Sequence, residues 1–345
     1  MVVNTRRNII KSFMVVSLTG FTSLLNLNNQ SKGMIRKESY EPGYLKLHRT
    51  GELKRRGEEL WKIMEYCELC PRMCGDNKLK GERGDCNANA DLEIASFHPH
   101  YGEERPLVGT GGSGTIFMSN CALKCVFCIN WEVSQGGEGR VKSIDDFASM
   151  MLALQKRSCE NINIVTPTHY SPHVLLALDK AASQGLRLPL VYNTCGYERL
   201  EILKMLDGVV DIYLPDFKYS DNDMAYKYSS RAENYVECTQ NALLEMQRQV
   251  GTAKPAGDGL MYRGLMIRHL VMPNNVSGTK GVLEWIAGNL PKDTYINLMS
   301  QYRPMYMADK FPEIDRSITI QEYKEAAVHA KKLGLTNVEF QGYQF

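Results

Sequence analysis

Three cysteines at a fixed spacing constrain what this chain of 345 residues can fold into and do. Cys121, Cys125 and Cys128 follow the pattern C-x3-C-x2-C, after an apolar, glycine-rich run that begins at Gly111. The segment 115–118 is predicted to be a buried strand, which places the cysteines on the loop that follows it. Loops at the carboxyl ends of strands carry the chemistry of barrel and other α/β enzymes. We therefore expect the functional site at this loop.

The spacing suits a cluster of several irons better than a single metal ion. Thiolates are the usual ligands of a [4Fe–4S] cluster, and three local cysteines leave one of its four irons open to a substrate or cofactor. Structural zinc normally takes four protein ligands, and no Cys or His near Cys128 completes a matching set. A disulfide fits poorly with ten cysteines in a long, enzyme-like chain. Zinc and a purely structural cluster remain the alternatives at this point.

The same loop, with the aromatic Phe127 before its last cysteine, resembles the signature of the radical S-adenosylmethionine (SAM) superfamily. The resemblance implies that Cys121, Cys125 and Cys128 bind a [4Fe–4S] cluster whose free iron binds SAM. It also implies an electron donor, such as flavodoxin or ferredoxin. One electron then splits SAM into methionine and a 5′-deoxyadenosyl radical, which abstracts a hydrogen atom from a substrate. The cofactor carries this chemistry, and the protein supplies position and exclusion of solvent.

A second set of cysteines lies upstream at the spacing C-x2-C-x3-C-x11-C. Its members are Cys67, Cys70, Cys74 and Cys86. Four thiolates make a closed ligand set for structural zinc or an iron–sulfur cluster, and neither spacing nor residue type separates these metals. We expect a second metal site, zinc or iron–sulfur, without a direct catalytic role; four unrelated thiols are the alternative. A related segment precedes the barrel in radical SAM proteins that resemble pyruvate formate-lyase activating enzyme.

Short apolar strands alternate with helix-length segments through the rest of the chain, which predicts a parallel sheet with right-handed crossovers. Six such units match the partial (β/α)6 TIM-type barrel that the resemblance implies. The expected fold is therefore α/β, a partial barrel with a small N-terminal four-cysteine appendage. The expected bounds are 34–110 for the cysteine segment and linker, 111–315 for the barrel, and 316–345 for a C-terminal helix and strand.

The first 33 residues are excluded from the predicted fold. Thr5-Arg6-Arg7 and the residues after it look like a twin-arginine export signal, and the apolar run that follows is too short to span a bilayer. No Ala-x-Ala-like cleavage site follows, and SAM and the reductants of such clusters are cytoplasmic. The segment is either a genuine signal or a spurious or disordered extension. We expect a cytoplasmic protein without a transmembrane span, with twin-arginine export as the alternative.

Composition adds two constraints. The chain carries 41 Lys and Arg against 39 Asp and Glu, a net charge of +2, so composition gives no argument for a nucleic-acid partner. Most of the cysteines lie between Cys67 and Cys128, and this clustering favours metal binding in a reducing compartment.

Polar residues follow the second predicted strand. Thr166 and Thr168 stand where radical SAM proteins often have a Gly-Gly-Glu-Pro-like motif for the SAM amino group, and this sequence lacks the motif there. Their hydroxyl and carbonyl oxygens could still receive an ammonium group. The neighbouring His169 is a candidate to position a substrate or move a proton. A satisfied histidine behind the site is the alternative.

Later strand ends supply further candidates. Asn193 could hydrogen-bond a ribose hydroxyl, while Asp216 and Lys218 resemble the Asp-Leu-Lys segment near SAM in activating enzymes. The resemblance also makes His269 a candidate to approach the adenosyl group, with Arg268 on the opposite face of the strand. A surface ion pair and a core histidine are the respective alternatives.

Three other residues are expected away from the chemistry. Glu103 and Glu104 could approach the active site, but they have no ligand-like spacing, which favours surface positions. Cys195 is isolated and expected to be a small core residue, although it lies on a loop of the active face.

These expectations combine into a radical SAM enzyme similar to the pyruvate formate-lyase activating enzymes. If that analogy holds in full, the substrate is a backbone glycine of a partner glycyl-radical enzyme. The alternatives are a radical SAM enzyme that acts on a small molecule or peptide, and a non-catalytic iron–sulfur or electron-transfer protein.

Overall fold

The computed structural model describes residues 40–341. The predicted export signal or extension at residues 1–33 therefore lies outside the described residues, as do the last four residues of the chain. Within the described range, eleven α-helices accompany one nine-stranded sheet. No helix in this part of the chain is long and apolar enough to cross a membrane.

The elements are numbered in chain order. The strands are β1 (Leu92–His100), β2 (Ser113–Met118), β3 (Arg140–Lys142), β4 (Ile162–Val165), β5 (Leu190–Thr194), β6 (Ile212–Pro215), β7 (Gly264–Leu270), β8 (Tyr295–Met299) and β9 (Val338–Phe340). The helices are α1 (Gly43–Arg49), α2 (Glu52–Ile63), α3 (Arg105–Val108), α4 (Trp131–Ser134), α5 (Ile144–Lys156), α6 (Ser171–Ser183), α7 (Leu200–Met205), α8 (Asn222–Tyr228), α9 (Tyr235–Val250), α10 (Thr279–Asn289) and α11 (Ile320–Lys332).

The sheet order is β3-β1-β2-β4-β5-β6-β7-β8-β9. From β2 to β9, neighbouring strands in this order run parallel, and each connection between them contains at least one helix. This is the crossover pattern of a parallel barrel wall. The predicted α/β fold with a partial (β/α)6 TIM-type barrel is confirmed, and the C-terminal strand adds a seventh parallel member.

The upstream part of the chain is more closely joined to the sheet than the sequence indicates. Strand β1 pairs antiparallel with β2, with Phe97 opposite Ile116, and carries the short strand β3 on its other side. The boundary expected at residue 110 therefore falls between two paired strands. Strand β3 was not predicted, because a strand of only three residues, none of them buried, gives no periodic signal.

Local sequence explains where the main helices begin and what they bury. Helix α5 starts with a capping box, in which Ser143 and Asp146 each accept from the other's backbone amide at 3.0 Å. Its apolar stripe is buried against the sheet side of the molecule, and Phe147 and Leu154 are fully covered. Helix α2 approaches α6 closely, since a Cβ at Gly57 would lie 2.9 Å from the Leu176 side chain.

A single buried carboxylate joins the N-terminal helices to the amino ends of two strands. Asp211 Oδ1 accepts from the Tyr40 hydroxyl at 2.7 Å and from the Gly43 amide at 2.9 Å. Its other oxygen accepts from the Leu190 amide at 2.8 Å. Burial raises the pKa of Asp211 to about 6, although these three donors favour its charged form.

Asp211→Asn is therefore expected to lower the free energy of unfolding by roughly 1–3 kcal/mol. The amide presents N–H where the carboxylate accepted one of its three hydrogen bonds, so a buried donor loses its partner. Denaturant unfolding compares this variant with Asp207→Asn, a change at an exposed aspartate nearby. The control is expected within about 0.5 kcal/mol of wild type. Equal stability of the two variants would contradict this account of Asp211.

Candidate active site

A cavity of about 390 Å³ lies at the carboxyl ends of the parallel strands. The loop after β2 contributes Cys121, Cys125 and Cys128 to its wall. Residues at or just beyond the ends of β4 to β8 form much of the rest. The parallel sheet thus brings strand-end residues, distant in sequence, to the same space as the cysteine loop.

Hydrogen-bond donors point at all three sulfurs. The Leu123 amide donates to Cys121 Sγ at 3.4 Å, and the Ser229 hydroxyl donates to Cys125 Sγ at 3.1 Å. Cys128 Sγ lies 3.3 Å from the Ser134 hydroxyl. Donors at sulfur stabilise the thiolate over the thiol. The loop is therefore built to hold sulfur in the form that binds metal.

Burial opposes ionisation at two of these sulfurs. It raises the pKa of Cys125 to about 12, despite the nearby Lys218, and it raises the pKa of Cys128. A hydrogen bond with Cys195 lowers the pKa of Cys121. A bound metal provides the positive charge that buried thiols need in order to ionise.

The donor set fits an iron–sulfur cluster. No three His, Cys, Asp or Glu side chains within residues 40–341 are grouped so that they could hold one metal ion. A [4Fe–4S] cluster instead takes one thiolate per iron, so its ligands need not converge on a single point. The cavity beside the three sulfurs provides space for a further ligand.

Asp216 and Lys218 lie in the cavity wall, as the sequence predicts. The Lys218 ammonium donates to Asp216 Oδ2 at 2.5 Å, and both side chains are about one-fifth exposed. Burial alone would lower the pKa of Lys218, but Asp216 and Cys125 raise it well above its usual value. Lys218 therefore remains a cation beside the cysteine loop.

Thr166 and Asn193 also line the cavity. Thr166 has φ 59°, a left-handed conformation that is rare for a β-branched residue. The Asn193 side-chain oxygen accepts from Arg268 Nη1 at 3.3 Å. The sequence identified both residues from their positions just after or at the end of a strand.

Thr168 and His169 do not line the cavity. The Thr168 hydroxyl donates to Glu198 Oε1 at 2.5 Å, and His169 Nε2 donates to the Ser119 carbonyl at 2.9 Å. Burial lowers the pKa of His169 to about 3, which keeps the imidazole neutral. Thr168 was expected to bind the cofactor and His169 to act in catalysis, but the turn after β4 directs both side chains behind the cavity wall. The position of His169 is that of the alternative, a satisfied histidine behind the site.

On β7, Arg268 and His269 occupy the opposite faces from those expected. Arg268 lines the cavity, whereas His269 is buried on the other face and hydrogen-bonds the Phe217 carbonyl at 2.6 Å and Thr279 at 2.9 Å. Successive residues of a strand point to opposite faces, so only one of this pair can reach the cavity. The alternative of a core histidine describes the observed position of His269.

Two glutamates expected at the surface instead form part of the cavity wall. Glu104 is 2% exposed and receives Arg268 Nε at 2.6 Å and Asn297 Nδ2 at 2.8 Å, while Glu103 pairs with the same guanidinium. More than 160 residues separate the glutamates from Arg268 in the sequence. No local spacing could have indicated this contact, which only the closing of the sheet creates.

Cys195 and Glu198 were also not recognised as neighbours of the cysteine loop. Cys195 lines the cavity and hydrogen-bonds Cys121. Glu198 is buried, and burial raises its pKa to about 7 although Thr168 and Thr194 donate to it. Their position on the loop after β5 was the one signal available, since neither residue belongs to a spaced motif.

The upstream cysteines form a separate cluster. Cys67, Cys70 and Cys86 are buried and Cys74 is partly exposed, and Cys67 and Cys74 interact through their side chains. Arg72, between Cys70 and Cys74, donates to the carbonyls of Ala122, Ser229 and Arg231 at 3.0–3.1 Å. The upstream loop is thereby fastened to the loop that carries Cys121 and Cys125.

Known proteins resemble this chain over part or most of its length. The family model described as the Radical SAM superfamily matches residues 115–248. An uncharacterized protein of Methanocaldococcus jannaschii is 33% identical over 285 residues, which cover 79% of this chain and 76% of that protein.

Solved structures resemble the chain only in part. A radical SAM methyltransferase from Sphaerobacter thermophilus has a TM-score of 0.43 at 12% identity, with coverage of 86% of this chain and 92% of that chain. Native anSMEcpe with bound AdoMet has a TM-score of 0.42 at 11% identity, with coverage of 65% of this chain. This chain spans 61% of anSMEcpe, less than two thirds of its length.

Glu198 provides a test of the electrostatics behind the cavity. A carboxyl whose pKa is higher in the folded state than in the unfolded chain stabilises folding less as the pH rises through the folded value. The stability of wild type is therefore expected to fall by roughly 1 kcal/mol more than that of Glu198→Gln between pH 6 and pH 8. Denaturant unfolding at both values, with both proteins in the same metal state, measures the difference. Parallel pH profiles would contradict the raised pKa of Glu198.

Proposed function

Because this chain belongs to the radical SAM superfamily, we propose that Cys121, Cys125 and Cys128 bind a [4Fe–4S] cluster at which SAM is reductively cleaved. The cofactors of the superfamily are this cluster and SAM. When bound, they supply a 5′-deoxyadenosyl radical that abstracts a hydrogen atom from a substrate. A one-electron donor such as flavodoxin or ferredoxin provides the reducing equivalent.

One observation carries the proposal: the three cysteines of one loop face the same cavity as the strand ends. Soft thiolates select iron–sulfur clusters, and three ligands leave one iron of such a cluster without a protein donor. The donors of Leu123, Ser229 and Ser134 hold the sulfurs in place and favour their ionised form. These features support binding of a cluster by the three cysteines, with the adjoining cavity as the proposed site of SAM.

The cavity wall supplies complementary charge and hydrogen-bonding groups. Lys218 holds a permanent positive charge close to Cys125, and Asp216 presents a carboxylate beside it. We propose that Asp216 and Lys218 orient the polar groups of SAM. Thr166 and Asn193 are assigned to its ammonium and ribose groups, since their polar atoms lie at adjacent strand ends.

Within the superfamily, the proposed substrate is a backbone glycine of a partner glycyl-radical protein. The support is the Asp216-Phe217-Lys218 segment, which resembles that of pyruvate formate-lyase activating enzymes and lies in the cavity wall. The cavity is partly open, and its wall includes Gln301 and Arg303 from the loop after β8. A chain segment of a partner would enter from the same side as these loops.

Cys128→Ala is expected to abolish SAM cleavage, because it removes one of three cluster ligands. The measurement is 5′-deoxyadenosine formed by anaerobically reconstituted protein with SAM and dithionite. Cys238→Ala is the matched control, since Cys238 is a partly exposed cysteine on α9 that does not line the cavity. The control is expected to keep wild-type turnover. Wild-type protein whose iron EPR spectrum does not respond to SAM would instead indicate a carrier.

Cys195→Ser tests whether the proposed open iron is truly without a fourth protein ligand. Cys195 hydrogen-bonds Cys121, so the hydroxyl can replace the thiol as a donor. We expect the iron content of this variant to stay at the wild-type value. A loss of iron equal to that of Cys128→Ala would make Cys195 a ligand and would exclude a SAM-binding iron.

The substrate proposal has its own readout. A partner captured by the reduced, SAM-loaded enzyme is expected to develop the EPR doublet of a glycyl radical, and Gly→Ala at the radical position is expected to remove it. Formation of 5′-deoxyadenosine with a peptide or small molecule, and without such a partner, would contradict the glycine assignment and leave SAM cleavage intact.

A further inference from the structure

The upstream cysteine cluster has the features of a binding site and plays no part in the proposed cleavage of SAM. Its loop is tightly folded around the sulfurs: a Cβ at Gly84 would lie 2.6 Å from Cys74 Sγ, well inside any real contact. The Gly75 amide donates to the Cys67 carbonyl at 3.0 Å and closes the turn. Glycine at position 84 therefore leaves room for the Cys74 sulfur, which a larger residue would displace.

Backbone donors in this cluster follow a repeated pattern. The backbone two residues after Cys67, Cys70 and Cys74 favours the thiolate form of each, although Cys74 and burial raise the pKa of Cys67 and burial raises the pKa of Cys70. Cys121 in the barrel loop receives the same kind of bond from Leu123. Amide donors aimed at sulfur stabilise thiolates and are typical of metal-binding turns. The two cysteine loops thus share one way of preparing sulfur for a metal.

A buried lysine lies beside these sulfurs. Lys78 is 1% exposed, and its ammonium donates to Cys86 Sγ at 3.0 Å. Cys67 and Cys70 act on its charge as well, and no carboxylate of residues 40–341 forms an ion pair with it. An isolated buried ammonium is strongly unfavourable, so buried charges are normally paired. Here the available counter-charge is sulfur.

We propose that Cys67, Cys70, Cys74 and Cys86 bind a [4Fe–4S] cluster as four thiolates, and that the Lys78 ammonium is its counter-cation. These cysteines are not grouped to hold a single metal ion, whereas a cluster takes one thiolate per iron. Four thiolates around a [4Fe–4S]²⁺ core leave two negative charges in a buried place. The Lys78 ammonium offsets one of them and donates to a ligand sulfur. Partners of this kind orient the ligands and control how firmly the metal is held.

The test uses the full chain with Cys121→Ala, Cys125→Ala and Cys128→Ala, which isolates the upstream centre. The protein is reconstituted anaerobically, its iron, sulfide and zinc are measured, and metal loss to an excess of chelator is followed. We expect bound metal that disappears with Cys70→Ala plus Cys74→Ala. Lys78→Met is expected to accelerate its loss at least about tenfold, whereas Lys78→Arg keeps the charge and stays close to the background rate.

Lys80→Met is the matched control, because Lys80 is an exposed lysine in the same turn. Lys78→Gln provides a second neutral variant, and circular dichroism establishes that each variant is folded. About four irons with sulfide support the cluster, whereas one zinc without sulfide would contradict it. The proposal is overturned if Lys78→Met loses metal at the same rate as Lys80→Met, or if the four cysteines hold no metal. Failure of SAM cleavage in wild type would leave this result unchanged, since the background protein lacks the barrel cysteines.

Discussion

Buried sulfur that must carry negative charge is the constraint on which this structure depends. Thiols prefer to stay neutral when they are removed from water, and Cys125 and Cys128 follow that rule. Hydrogen-bond donors and cations from distant parts of the chain offset this preference and favour the thiolate form. Ser229 comes from the segment after α8, and Lys218 comes from the loop after β6. The parallel sheet is what brings these groups to one loop.

The charged side chains of the cavity wall also form ion pairs with one another. Arg268 pairs with both Glu103 and Glu104, and Lys218 pairs with Asp216, so that each of these charged groups has a partner before any ligand arrives. Paired groups with fixed geometry do not have to reorganise when a charged cofactor binds, which favours tight orientation of that cofactor.

Sequence periodicity predicted the parallel strands, and the spacing of the cysteines predicted the loop that carries them, because both patterns are local in the sequence. The strand before the cysteine loop was expected at residues 115–118 and is observed as β2, Ser113–Met118. The cavity wall was predicted less well, because it depends on contacts across the sheet. Arg268 and His269 differ by one position, yet the pleat exchanges their roles. The pairing of Arg268 with Glu104 joins residues that no spacing rule connects.

Arg72 links the two cysteine loops through three backbone carbonyls, one of which belongs to Ala122 between Cys121 and Cys125. The other two carbonyls belong to Ser229 and Arg231, which follow the barrel cysteines in the chain. The complete junction between the two cysteine loops can therefore form only after the chain has been synthesised beyond residue 231.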